Sequence, residues 1–136
     1  MSLYACRPAT FRGADIEATE YAYRAPAEID PGLVAFRFIN HGTVPHEVQL
    51  FRFNPGTTLA VANSYLAKGS VPDCAADAAG NVLIANPGLT APERVLIHAK
   101  SGELYALICQ FRDGPGKPPH ANLRMVGVIR VGDRRR

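Results

Sequence analysis

Along most of the chain, apolar and polar residues alternate with a period of two, the pattern of strands with one buried face. Residues 15–25, "DIEATEYAYRA", show this character and read as a strand. Pro31-Gly32 then marks a turn. Residues 33–40 form a clear strand, with Val34, Phe36 and Phe38 on one face and Arg37 on the other. "NHGTVP" breaks the chain, and residues 46–53 resume it with His46, Val48 and Leu50 on a common face. Residues 81–85, 92–99, 104–110 and 125–131 read as further strands. Tyr105, Leu107 and Cys109 share one face of the third of these. The intervening residues 100–103, "KSGE", read as a hairpin turn. One segment departs from the period of two. Leu59, Ala62, Tyr65 and Leu66 recur at helical spacing, a Thr at 57 or 58 can cap the start and Gly69 can end it, which predicts a short helix near 58–68. Residues 71–80, "VPDCAADAAG", read as a surface loop. Seven or eight short strands with one inserted helix predict an all-β fold, a Greek-key β-sandwich. The long helices that parallel crossovers need are missing, which excludes an α/β fold.

The length of 136 residues suits a single domain over 1–136, with its core at about 16–131 and terminal extensions at 1–14 and 132–136. Hydrophobic residues make up 47% and charged residues 20%, an ordinary globular balance, and no apolar run approaches membrane-spanning length. The net charge is +3, and Arg134, Arg135 and Arg136 at the terminus account for as much positive charge. The remainder is near neutral, which argues against a nucleic-acid partner. The opening "MSLYACRPAT" is too polar and too short for a signal peptide and reads as the start of a mature or truncated product. "LYAC" resembles the end of a lipoprotein signal, so membrane attachment is expected only if Cys6 is lipidated. Three cysteines leave one odd: Cys6 and Cys74 can pair, with Cys109 the free thiol, and such a pair implies an oxidising compartment.

The stretch "CQFRDGPGKPPHANLRM", from Cys109 to Met125, holds a thiol, an imidazole and a thioether. An electron-transfer copper site uses two imidazoles, one thiolate and a weak axial thioether. Cys109 ends a strand facing inward and Met125 opens the next. The loop between them lets Cys109, His120 and Met125 converge at one end of the sandwich, where His46 can supply the fourth ligand. His41, in a turn, and His98, on the opposite face of its strand, are not candidates. One Cys, two His and a Met make a poor structural zinc site. A Cys–His nucleophile pair would need an orienting group and a cleft, and Asp113 lies in a Gly/Pro-rich loop.

"NHGTVPHEVQLF", "SGELYALICQF", and "PPHANLRM" leading to "VIRV", resemble the corresponding segments of cupredoxins, specifically bacterial cupredoxin-like small domains. The resemblance spans roughly residues 16–131. It implies a mononuclear blue-copper site with ligands His46, Cys109, His120 and, axially, Met125. Asn40 matches an Asn that ties the ligand loops by hydrogen bonds. It also implies one-electron transfer rather than substrate turnover, an extracytoplasmic location, and a redox partner docking near His120. Pro45, Pro118, Pro119, Ala121 and Leu123 would line that docking patch, and Arg112, Lys117 and Arg124 would rim it, favouring an acidic partner. Two features depart from the pattern. The ten residues between Cys109 and His120 exceed the short loop of small electron carriers. Copper nitrite reductases have a loop of more similar length and share the four-residue His–Met spacing, but nothing here matches their second copper site or second domain. Arg124 stands where related domains usually place Gly. Two other functions fit the same residues: a copper storage or delivery module, and a metal-free interaction domain of the same fold.

Overall fold

The computed structural model describes residues 10–133. In chain order the elements are β1 (Arg12–Thr19), β2 (Ala22–Arg24), β3 (Glu28–Ile29), β4 (Gly32–Asn40), β5 (His46–Phe53), α1 (Leu59–Leu66), β6 (Ala76–Ala78), β7 (Leu83–Ala85), β8 (Val95–Ala99), β9 (Leu104–Ile108), a 3-10 helix (His120–Leu123) and β10 (Val126–Val131). They form an all-β sandwich of two mixed sheets. The smaller runs β2-β1-β4-β8; the larger runs β3-β10-β9-β5-β6, with β7 paired to the start of β5. β1 with β4 and β3 with β10 are parallel, and the other pairs are antiparallel.

The alternation along the strands sets the packing. Phe36 and Phe38 from β4 meet Val48 and Leu50 from β5, Leu107 from β9 and Ile129 from β10 in the main core. Burying each Phe contributes roughly 1.5–3 kcal/mol. β9 is buried on both faces. Its Tyr105 and Leu107 face the sandwich interior with Cys109, while Leu104, Ala106 and Ile108 join a second cluster with Ala62 and Leu66 of α1. The helix therefore covers the outer face of the larger sheet, which leaves β9 no solvent side.

α1 forms where its spacing predicts. Thr58 caps it, its side chain accepting from the Val61 N–H at 3.2 Å, and Gly69 follows at φ +73°. Leu59 is exposed, so the buried stripe is carried by Ala62 and Leu66.

Four sequence expectations are corrected. Residues 15–25 are not one strand: the chain turns at Glu20-Tyr21, separating β1 from its antiparallel neighbour β2. β1 begins at Arg12, ahead of the expected core boundary, because Arg12 already pairs with Val34. The 71–80 segment contains β6, which pairs with the end of β5. Residues 100–103 do turn, with the Glu103 N–H donating to the Lys100 carbonyl at 3.1 Å, yet they make no hairpin. β8 pairs with β4 and β9 with β5 and β10, so this turn carries the chain from one sheet to the other.

Candidate metal centre

Three elements deliver the expected ligands to one end of the sandwich. His46 is the first residue of β5. Cys109 follows the last residue of β9, and His120 opens the 3-10 helix. All three are fully buried, with His120 the most exposed at 1%. Their donor atoms lie within 4.8 Å of one another. His120 Nδ1 is 3.2 Å from His46 Nδ1 and 3.4 Å from Cys109 Sγ.

Met125 is buried immediately before β10 in the main core. Its N–H donates to the His120 carbonyl at 3.0 Å, and its carbonyl accepts from the Cys109 N–H at 3.3 Å. The Ala121 N–H donates to the Cys109 carbonyl at 2.8 Å. Cys109, His120 and Met125 are thus lashed together through backbone before any side chain acts. Arg124 explains why a Gly suits the position before the Met: its φ is +75°, the left-handed region, which strains a residue with a Cβ. Its side chain is exposed.

Asn40, fully buried at the end of β4, ties the His46 loop as its resemblance implies. Its side-chain amide donates to the carbonyls of Val44 and Ala85, both at 2.9 Å, and its oxygen accepts from the Gly42 N–H at 2.7 Å.

The outer edges of both imidazoles carry partners that sequence reasoning missed. His46 Nε2 meets Glu20 Oε1 at 3.1 Å, and His120 Nε2 meets Asp113 Oδ1 at 2.7 Å. Glu20 also accepts from the N–H groups of Thr43 and Val44 at 2.8 and 3.1 Å. Gly42 leaves the room this carboxylate occupies, since a Cβ there would overlap it. Asp113 accepts from the Tyr21 hydroxyl, and the Tyr21 ring lies over His120 with centroids 4.8 Å apart. A third carboxylate, Glu47, is buried behind Cys109 and accepts from the Gln110 N–H at 2.8 Å. Asp113 lies in a Gly/Pro-rich loop and Glu20 in the residues 15–25 expected as one strand, so neither stands out as a partner of a histidine. The one available signal was the length of the 110–119 segment, which lets Asp113 fold back onto His120.

These contacts set the proton states. A carboxylate only accepts, so each Nε2 facing one is the ring nitrogen placed to donate, and each Nδ1 points to the donor group. Burial holds the His46 ring below the ordinary imidazole range, against the opposing pull of Glu20. Burial raises the Cys109 thiol, while backbone N–H groups of Glu47 and Phe111 favour its thiolate. Burial also pushes the Glu20 carboxyl up, but the Thr43 and Val44 N–H groups and His46 more than offset this and leave it below the ordinary value. Asp113 is held low by the Tyr21 hydroxyl and then by His120.

The donor set fits a soft metal ion. The two Nδ1 atoms, 3.2 Å apart, and the thiol beside them lie close enough to share one cation, whose binding would displace the thiol proton to solvent. Glu20 and Asp113 are committed to the far side of the imidazoles, which leaves two imidazole nitrogens and one thiol as the facing donors.

His41 and His98 lie outside the group, both exposed, with His41 held at 2.8 Å by Glu17. Of the expected docking patch, Pro45, Pro118 and Leu123 are exposed with Arg112, Lys117 and Arg124, but Ala121 faces the second core cluster. His120 does not reach the surface, because Asp113 and Tyr21 cover it. Cys74 is exposed; the Cys6–Cys74 pair and Cys6 lipidation fall outside the described residues. A surface groove of about 760 Å³ between β1, β3 and β4 shares no residue with the metal group. No helix among the described residues is long and apolar enough to cross a membrane.

No family model and no curated protein matches the sequence. Solved structures do. The dithionite-reduced auracyanin of Roseiflexus castenholzii aligns with a TM-score of 0.52 at 20% identity, over 91% of this chain and 98% of that one. Auracyanin A, a "blue" copper protein of Chloroflexus aurantiacus, aligns with a TM-score of 0.54 at 22% identity, over 90% of this chain and 100% of that one. Auracyanin B aligns with a TM-score of 0.52 at 21% identity, over 88% of this chain and 87% of that one. The fold is cupredoxin-like.

Proposed function

We propose that this protein is a one-electron carrier with a single copper ion held by His46, Cys109 and His120, with Met125 as a weak axial ligand. The observation that carries this reading is the convergence of two imidazole Nδ1 atoms and one thiol within 4.8 Å in a buried pocket. Copper bound by such donors exchanges one electron between its cupric and cuprous states. The protein's own part is to hold the donors still. Backbone bonds fix Cys109, His120 and Met125 relative to one another, and Asn40 fixes the loop that carries His46. Little has to move when the charge changes, and the apolar core around Cys109 and Met125 keeps water out.

The same reading proposes an extracytoplasmic carrier rather than an enzyme, which meets its partner at the sandwich end bearing Pro45, Pro118 and Leu123. The exposed Arg112, Lys117 and Arg124 there suit an acidic partner. Full burial of the three donors favours retention over delivery, since a chaperone must expose its metal to hand it on. Protein-film voltammetry of the copper-loaded protein tests this. A carrier gives a reversible one-electron wave and keeps its copper through repeated cycles. Release of copper on reduction would contradict the carrier reading and favour delivery.

A further inference from the structure

We propose that Glu20 and Asp113 are the positioning residues of the metal centre: they pin both imidazoles with Nδ1 inward and bias the site toward the cupric ion. The inference deepens the copper reading and rests on it.

The geometry is two-sided. One carboxylate approaches each imidazole from outside the donor cluster, at 3.1 Å for Glu20 on His46 and 2.7 Å for Asp113 on His120. Both carboxylates are themselves held. Glu20 arrives on the β1–β2 turn and is fixed by the Thr43 and Val44 N–H groups, in space that Gly42 leaves open. Asp113 arrives on the long Cys109–His120 segment and is fixed by the Tyr21 hydroxyl from the same β1–β2 turn. That segment is folded on itself: the Lys117 N–H donates to the Gly114 carbonyl at 3.1 Å, and the Arg112 guanidinium donates to the Lys117 carbonyl. The His120 N–H returns to the Phe111 carbonyl at 2.7 Å. The ten-residue spacing thereby gains a use, because a short Cys–His loop leaves no room to bring an acid back onto the histidine it precedes. The two segments close over the site together, with Tyr21 joining them.

Two consequences follow chemically. A carboxylate accepting from Nε2–H selects the tautomer whose Nδ1 is free, and raises the basicity of that Nδ1 toward a metal. The negative charges behind the ligands also stabilise the more highly charged oxidation state. A purely structural role would hold the turn and the loop in place without touching either property.

The test has two arms. In the first, two-bond 15N–1H correlation spectra of the metal-free wild-type protein at pH 8 read the tautomers directly. Both His46 and His120 are expected as Nε2–H; an Nδ1–H form at both rings overturns the proposal. This arm needs neither a variant nor copper. In the second, Glu20→Gln and Asp113→Asn, checked for fold by circular dichroism, are each expected to weaken Cu(II) binding about 10–100-fold. Cu(I) binding should change less. Each tenfold difference between the two ions raises the midpoint potential by about 59 mV. Unchanged Cu(II) affinity and potential in both folded variants overturns the proposal. Failure of the underlying copper reading shows separately, as a wild-type protein that takes up no copper whatever its tautomers.

Discussion

Replacing Asn40 with Ala should destabilise the metal-free protein by about 3 kcal/mol. Asn40 makes three hydrogen bonds, to the carbonyls of Val44 and Ala85 and from the Gly42 N–H, and its side chain is fully buried. Ala removes all three partners at once. The Ala85 carbonyl is buried, and stranding such a group costs about 1–3 kcal/mol. The Val44 and Gly42 groups are only part-buried and regain some water, so each loses roughly 0.5–1 kcal/mol. For a domain of this size the sum corresponds to a fall of roughly 10 °C in Tm. Urea denaturation followed by far-ultraviolet circular dichroism measures it, with the slope unchanged and the midpoint lowered. Asn40→Asp sharpens the reasoning. It keeps the acceptor for Gly42 but turns a carboxylate oxygen toward two carbonyls, so at pH 7 it should cost at least as much as Ala. A loss under about 1 kcal/mol for Asn40→Ala would refute the claim that this side chain holds the His46 loop.

Three further outcomes are expected. Arg124→Gly relieves the left-handed strain at φ +75° and should raise stability by about 1 kcal/mol in urea melts. Gly69→Ala should destabilise by more than about 1 kcal/mol, since φ is +73° and the added Cβ would press on Asn122 and lie 3.2 Å from the Ala121 carbonyl; equal midpoints would show that neither matters. Burial and then the Glu103 carboxylate raise the Tyr105 phenol above its ordinary 10.0. The folded state therefore holds that proton more tightly. The resulting stability is fully present below pH 10 and is lost as pH rises beyond it, so urea midpoints should fall between pH 10 and 11.5, less steeply in Tyr105→Phe.

The sandwich was legible because most strands have one wet face. β4 alternates Val34, Phe36 and Phe38 with polar or less buried neighbours, and β8 alternates buried Val95, Ile97 and Ala99 with exposed Leu96 and His98. The turn at residues 100–103 was legible as a reversal but not as a sheet change. Turn residues report backbone direction, whereas strand partners are chosen by the opposing sheet edges. β2, β3 and β6 have two or three residues, too few for a period to show. Of the candidate site, His46, Cys109 and His120 were recoverable from residue type, order and strand ends. Met125 is placed in the same core by its backbone. The carboxylates were not recoverable. Glu20 and Asp113 lie 26 and 7 positions from the histidines they meet, and an acid in a turn ordinarily faces water. Only the folded return of the 110–119 segment and the β1–β2 turn brings them inward.

The central claim is that Cys109 binds copper as a thiolate between His46 and His120. The most direct measurement adds one equivalent of Cu(II) to the reduced, purified protein and records the visible spectrum beside that of Cys109→Ser. The expected result is an intense blue or green thiolate-to-copper band in the wild type and none in the variant. A colourless wild type with no bound copper, or the same band in Cys109→Ser, would contradict it.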